Sequence, residues 1–105
     1  MRRMILALTI ASLPTFASAD CFEDLGCPHL ETFKLSQIRK LSCQNLWHVR
    51  NSIYNFRGYC FKTPTAQEAF DNSDCTVNNP AAIVFNSHEV KNISRIVKVE
   101  KEKSC

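Results

Sequence analysis

Six cysteines, Cys21, Cys27, Cys43, Cys60, Cys75 and Cys105, fall in a chain of 105 residues, all of them after position 20. An even number in so short a chain reads as a disulfide framework, and this constrains the fold more than any other feature. A core this small leaves little stability to spare, so cross-links decide whether it folds. Six cysteines admit fifteen pairings, and spacing alone does not choose among them. The expectation adopted joins Cys60 to Cys75, Cys43 to Cys105 and Cys21 to Cys27. Closing the stretch between Cys60 and Cys75 would destabilise the unfolded chain by about 3 kcal/mol, and tying Cys43 to Cys105 by about 4 kcal/mol.

The residues before the first cysteine have the three parts of a secretory signal. Arg2 and Arg3 form a basic start, Ile5 through Leu13 an apolar stretch too short to span a bilayer, and Pro14 breaks it. Ala17-Ser18-Ala19 supplies the small side chains that a signal peptidase admits, so cleavage is expected before Asp20. Asp20 disfavours lipid attachment at Cys21, where lipoprotein signals carry a small uncharged residue. The expected organisation is a signal peptide over 1–19, an N-terminal loop over 20–34 and a helical domain over 35–105, periplasmic or secreted, with no membrane anchor after cleavage.

Charge excludes one class of partner. The leader holds two of the 13 Lys and Arg and none of the 10 Asp and Glu, so its removal lowers the formal charge from +3 to +1. A near-neutral domain lacks the clustered cations that nucleic acid requires. The run from Lys98 to Lys103 interleaves Glu100 and Glu102 with lysines and reads as a solvated helix face.

Helical signals outnumber hairpin signals. Residues 20–32, with Gly26 and Cys27-Pro28, read as a loop. Leu35, Ile38 and Leu41 predict a short helix. Ser42 can cap a helix from about Gln44 to Arg57, in which Leu46, Trp47, Val49, Arg50, Ile53 and Tyr54 include a buried-face pattern, with Gly58 as its terminator. Thr65 and Glu68 predict a capping box for a short helix ending near Phe70. Asn86 with Glu89 predicts a second capping box, with Phe85 stapled onto Val90, and opens a helix to about Lys101 that buries Val90, Ile93, Ile96 and Val97. The fold class expected is all-α: a small disulfide-stapled bundle of three to four short helices with long connecting loops.

Arg50-Asn51, Ile53-Tyr54 and Gly58, within LWHVRNSIYNFRG, resemble the R-N-x-I-Y-x-x-x-G core of the YARHG family, named for its Tyr-Ala-Arg-His-Gly string. Tyr59-Cys60-Phe61, the helix ending at Phe70, and Asn92-Ile93-x-x-Ile96-x-x-x-Glu100 are similar to the same pattern over about residues 35–105. The defining string here reads Tyr54-Asn55-Phe56-Arg57-Gly58, with Ala, Arg and His replaced by Asn, Phe and Arg. The resemblance implies a bacterial extracellular module of about four helices with no established catalysis, for which peptidoglycan binding has been proposed. This copy reads as a cysteine-rich, single-domain variant.

The candidate binding residues are Arg50, Asn51, Tyr54, Trp47 and Tyr59. In a functional role Arg50 grips a carboxylate, as on a peptide stem, while Tyr54 and Trp47 stack on sugar or peptide. In a structural role Asn51 is a cap or turn partner, Tyr54 and Trp47 are core, and Arg50 pairs with an acid such as Asp71 or Asp74. Cys27, His29, His48 and His88 lack paired metal-ligand spacing, so neither metal nor cofactor is expected. With all six cysteines pairable, no thiolate nucleophile is expected either. His88, in the first turn of its helix, reads as solvent-exposed. The acidic pairs Glu23 with Asp24 and Asp71 with Asp74 sit in polar loops where solvation accounts for them. The expected function is a non-catalytic binding module of the cell envelope, with peptidoglycan or an envelope protein as partner. The alternative is a small secreted, disulfide-rich inhibitor or effector that binds a protein.

Overall fold

The computed structural model describes residues 20–105, so the signal peptide expected over 1–19 lies outside the described residues. Four helices follow in order: α1 (Leu35–Ile38), α2 (Cys43–Phe56), α3 (Pro64–Ala69) and α4 (Ser87–Glu102), with a 3-10 turn at Pro80–Ala82. Among the described residues the only strand-like pairing is two isolated bridges, Phe22 with Gly26 and Tyr59 with Val77. No helix among these residues is long and apolar enough to cross a membrane. The architecture is the all-α, disulfide-stapled bundle that the sequence predicts. Its disulfides are Cys21–Cys27, Cys43–Cys105 and Cys60–Cys75.

Helix α2 carries two apolar faces. Leu46, Val49 and Ile53 enter the main core with Phe33, Ile38, Ile96 and Val99. Trp47 and Tyr54 point roughly 100° away around the helix, because they follow Leu46 and Ile53 by one residue. There they pack with Tyr59 against a second cluster of Phe61, Ala66 and Phe70. The single stripe predicted for this helix is therefore two. Ser42 Oγ accepts from Asn45 N at 3.1 Å at the start of α2, and Gly58, at φ +86°, turns the chain out at its end. The Gly58 carbonyl then accepts from Thr76 N and Val77 N, and Cys60 N donates to Val77 O, aligning the two segments that Cys60–Cys75 joins.

Three local expectations are corrected. The cap of α3 is Thr63, whose side chain accepts from Ala66 N, with Pro64 at the first helical position. Proline fits there because its fixed φ suits the helix and its missing N–H would be unpaired anyway, so Thr65 lies inside the helix and makes no capping box with Glu68. The capping box of Asn86 and Glu89 does form, but Val90 is 53% exposed and Phe85 packs edge-on to Tyr54. The buried face of α4 is Glu89, Asn92, Ile96 and Val99. That face is turned from Val90 and Val97, while Ile93 packs half-buried against the core, because Glu89 and Asn92 find enough hydrogen-bond partners to be buried.

Asn92 shows how this works. Its Oδ1 accepts from Phe33 N at 2.7 Å, and its Nδ2 donates to Pro28 O at 3.0 Å and Glu31 O at 2.8 Å. Arg95 Nη1 adds a bond to Phe33 O at 2.6 Å. The N-terminal loop is thereby held against α4, and Phe33 is driven into the core with no exposed surface. His88, expected in solvent, is half-buried and hydrogen-bonded through Nδ1 to Thr32 Oγ1 at 2.9 Å.

The far end of α4 is clasped to the turn between α1 and α2. Arg39 bonds both Glu102 oxygens at 3.1 Å, Lys103 Nζ donates to Leu41 O at 2.7 Å, and Cys105 is linked to Cys43. The Glu102 carboxyl is held below the usual carboxylate range, chiefly by the hydrogen bonds from Arg39. Both carboxylates of residues 98–103 are thus paired rather than merely solvated, Glu102 with Arg39 and Lys98 and Glu100 with Arg50.

Asn92→Ala is expected to cost about 3 kcal/mol of stability in urea denaturation of the oxidised protein, because it strands buried donors and acceptors in the loop. Non-reducing peptide mapping is expected to recover the three disulfides above. Peptides linking Cys43 to Cys60, or Cys75 to Cys105, would contradict the fold.

Candidate functional site

Two clefts open on either side of one stretch of α2, and Asn45 and His48 line both. The first, about 320 Å³, runs between α2 and the N-terminal loop, with Phe22, Leu25, Leu41 and Val49 forming its apolar lining. Its polar groups are Glu23 and Asp24 from the loop, and Gln37 and Lys40 from α1 and the turn after it. The second, also about 320 Å³, lies between α2 and α3 and is lined by Gln44, Trp47, Thr65 and Glu68. Both fall in the size range of small-ligand sites.

The aromatic wall between α2 and α3 is built by packing across Phe70. Trp47 lies tilted against Phe70 with ring centroids 6.1 Å apart, and His48 stacks on the same ring at 5.0 Å. Phe61 stacks on Phe70 at 5.0 Å, and Tyr59 meets Phe61 edge-on at 5.0 Å. A continuous aromatic layer therefore runs from the second core to the cleft.

Of the five predicted site residues, only Trp47 lines either of these clefts. Arg50 binds Glu100 through two hydrogen bonds, Nε to Oε1 at 2.8 Å and Nη2 to Oε2 at 3.1 Å. This pair borders a separate recess of about 270 Å³ near the C-terminus. Asn51 Nδ2 donates to Trp47 O at 2.8 Å. Tyr54 is wedged edge-on between Tyr59 at 6.0 Å and Phe85 at 5.1 Å. The structure thus brings Trp47, Tyr54 and Tyr59 onto one aromatic cluster and sets Arg50 apart with an acid other than Asp71 or Asp74. Asp71 serves a turn, accepting from Ser73 N at 2.8 Å, and that bond lowers its carboxyl below the ordinary range.

Sequence reasoning did not select Asn45, His48, Gln44 or Glu68 as site residues. The available signal was angular: these α2 positions lie away from the Leu46, Val49 and Ile53 stripe. What makes them a cleft is the packing of α3 and the N-terminal loop alongside, which helical periodicity cannot report. Among the described residues no group of three or more His, Cys, Asp or Glu could hold a metal ion.

The altered string closes α2. Arg57 Nε reaches both oxygens of Glu89 at 3.0 and 2.8 Å, and its Nη2 bonds Oε1 at 2.6 Å. Glu89 Oε1 also accepts Asn86 N at 2.8 Å in the capping box of α4. The Glu89 side chain is only 1% exposed, and its hydrogen bonds raise the Arg57 guanidinium pKa above its already high ordinary value. One buried carboxylate thus joins the end of α2 to the start of α4. Phe56, 40% exposed, stacks on His29 at 4.3 Å, with the Arg57 guanidinium 5.4 Å from its ring centre.

The sequence model of the YARHG domain matches residues 28–101, most of the chain. The chain belongs to the YARHG domain family. YARHG domains are extracellular modules of a non-catalytic type, and three disulfides fit an oxidising compartment. Neither the curated proteins nor the solved structures contain a match. Several residues on which the resemblance rests have structural roles here: Arg50 and Glu100 bond to each other, Asn92 ties down the loop, and Ile53 and Ile96 share the core. The match starts at residue 28, inside the N-terminal loop that Asn92 holds and beyond the Cys21–Cys27 link.

Arg57→Ala is expected to destabilise the domain by about 2 kcal/mol in thermal melts, since it leaves the buried Glu89 carboxylate without its cation. Arg57→Lys is expected to recover only part of this loss, because an ammonium cannot reproduce the forked geometry.

Proposed function

We propose that this YARHG domain is a non-catalytic binding module of the bacterial envelope, periplasmic or secreted, that recognises peptidoglycan along the trough formed by the two clefts. The observation that carries this reading is their junction at Asn45 and His48. A ligand that crosses α2 there meets an aromatic wall at Trp47 and amide and hydroxyl groups at Gln44 and Thr65. It also meets a more apolar hollow on the other side. Sugar rings stack on aromatic faces and peptide groups bond to amides, so a polymer that is part glycan and part peptide suits a surface divided in this way.

In this account Trp47 makes direct contact, and the other predicted residues hold the wall in place. Asn51 ties to the Trp47 carbonyl, Tyr54 and Tyr59 pack behind the aromatic layer, and Arg50 fixes α2 to α4. Binding needs no covalent step, and none of these groups is asked to move a proton.

A protein partner is the second reading, and one observation favours it. Leu30, Phe56, Val84 and Val90 are 61, 40, 86 and 53% exposed. His29, stacked on Phe56 and bonded through its carbonyl to Asn86 Nδ2, brings this region of the loop to the junction of α2 and α4. An envelope or host enzyme docking there would leave the trough empty.

The oxidised protein spanning 20–105 is expected to be retained on purified sacculi well above a disulfide-bonded protein of similar charge. Asn45→Trp, which fills the point shared by both clefts, is expected to lower retention about tenfold while the melting temperature stays within a few degrees. Retention no higher than the control would sink the peptidoglycan reading. Retention unaffected by Asn45→Trp but lost on Phe56→Ser would move the site to the apolar junction.

A further inference from the structure

The N-terminal loop has a construction that stability alone does not call for. Cys21 and Cys27 are six residues apart, the shortest span of the three disulfides, so this link restricts the unfolded chain least. Inside it, Phe22 N donates to Gly26 O, and Leu25 N and Gly26 N both donate to Phe22 O. Gly26 takes φ +109°, and a side chain there would run into the Glu31 carboxylate. The result is a rigid, doubly closed loop with Glu23 and Asp24 at its tip. Both are exposed and line the first cleft. Among the described residues neither takes part in an ion pair.

The opposing wall is different in character. Leu41 and Val49 continue the apolar lining that Phe22 and Leu25 begin, and among the described residues Lys40 is the only ammonium or guanidinium group on the cleft. Two carboxylates against one ammonium leave the mouth negative, over a hydrocarbon interior. A hydrocarbon chain is favoured by the lining, and a positive end group by the mouth. A neutral sugar would gain little from either.

We infer that this cleft binds an aliphatic arm ending in a free ammonium group, as carried by the diamino-acid residue of a peptidoglycan stem peptide. The methylenes lie along Phe22, Leu25, Leu41 and Val49, and the ammonium donates to Glu23 and Asp24. Lys40 is left to face a carboxylate of the same stem. This rests on the peptidoglycan reading and assigns its peptide half to a loop that lies outside the residues matched by the family, so it is a property of this chain rather than of every YARHG domain. The disulfide holds the two carboxylates in place before the ligand arrives, which lowers the ordering cost of binding.

Sacculi with native amino groups and sacculi whose free amino groups have been acetylated separate this proposal from the reading beneath it. Acetylation removes the ammonium charge and leaves glycan and backbone intact. The oxidised 20–105 protein is expected to bind acetylated sacculi about tenfold more weakly. The double variant Glu23→Gln, Asp24→Asn is expected to bind native sacculi about as weakly and to be nearly indifferent to acetylation, with an unchanged melting temperature because both positions are exposed. The native difference should also shrink as salt is raised, since the charges are solvent-accessible. Equal binding of the unaltered protein to both kinds of sacculi would overturn the diamino-acid assignment while leaving peptidoglycan recognition standing. No binding to either would overturn both.

Discussion

A single buried amide organises this domain. Asn92 sits on the inward face of α4 and bonds three backbone groups of the N-terminal loop, one through its oxygen and two through its nitrogen. Backbone groups buried without partners are costly, so an irregular loop can lie against a helix only where something supplies those partners. Asn92 supplies them, and Phe33 can then fill the core between α2 and α4. The described loop before Phe33, including the part that walls the first cleft, is held by that contact together with the Thr32–His88 and Asn86–His29 bonds and the packing of Phe22 and Leu25 on the core.

Two ion pairs extend the same logic along the helices. Glu89 joins the end of α2 to the start of α4 through Arg57, while Arg50 and Glu100 join the middle of α2 to the later turns of α4. Both use the two-pronged geometry that arginine and carboxylate share, which fixes rotation and register as well as distance. The helices therefore cannot turn to bury Val90 and Val97 in place of Glu89 and Asn92 without stranding charge. The altered family string gains its meaning here. Its one cation, Arg57, is occupied inside the fold, and Phe56 is turned to the surface against His29.

Because α2 packs on two cores, its remaining side borders clefts. Its main-core stripe meets α4, and its Trp47 and Tyr54 face meets the Phe61 and Phe70 cluster. Asn45 and His48 are left between α3 and the N-terminal loop, each of which is tethered by its own contacts. Arg50, Ile53, Asn92, Ile96 and Glu100 thus maintain the scaffold, and the clefts are lined by other positions.

The sequence by itself determined the helical class, the ends of the long helices and that the six cysteines form disulfides, while spacing left their pairing open. The helix ends follow from local chemistry: Ser42 and Asn86 accept from backbone donors a few residues away, and Gly58 permits a left-handed turn, whereas Cys43 and Cys105, 62 residues apart, meet only in the folded chain. Trp47 was legible as a candidate from its aromatic character, which serves stacking on a ligand as well as packing, and only the structure places it at the edge of a cleft. The tertiary structure alone decided which face of α4 is buried, which acid pairs with Arg50, and where the clefts open. Periodicity counts apolar residues, so it placed Val90 inside and overlooked Glu89 and Asn92, whose partners lie more than 30 and 50 residues away in the chain. Glu23 and Asp24 looked like two solvated acids in a polar loop. Only the short disulfide and the packing of that loop against α1 and α2 give them a cleft to face, and such a juxtaposition of distant segments leaves no periodic mark in the sequence.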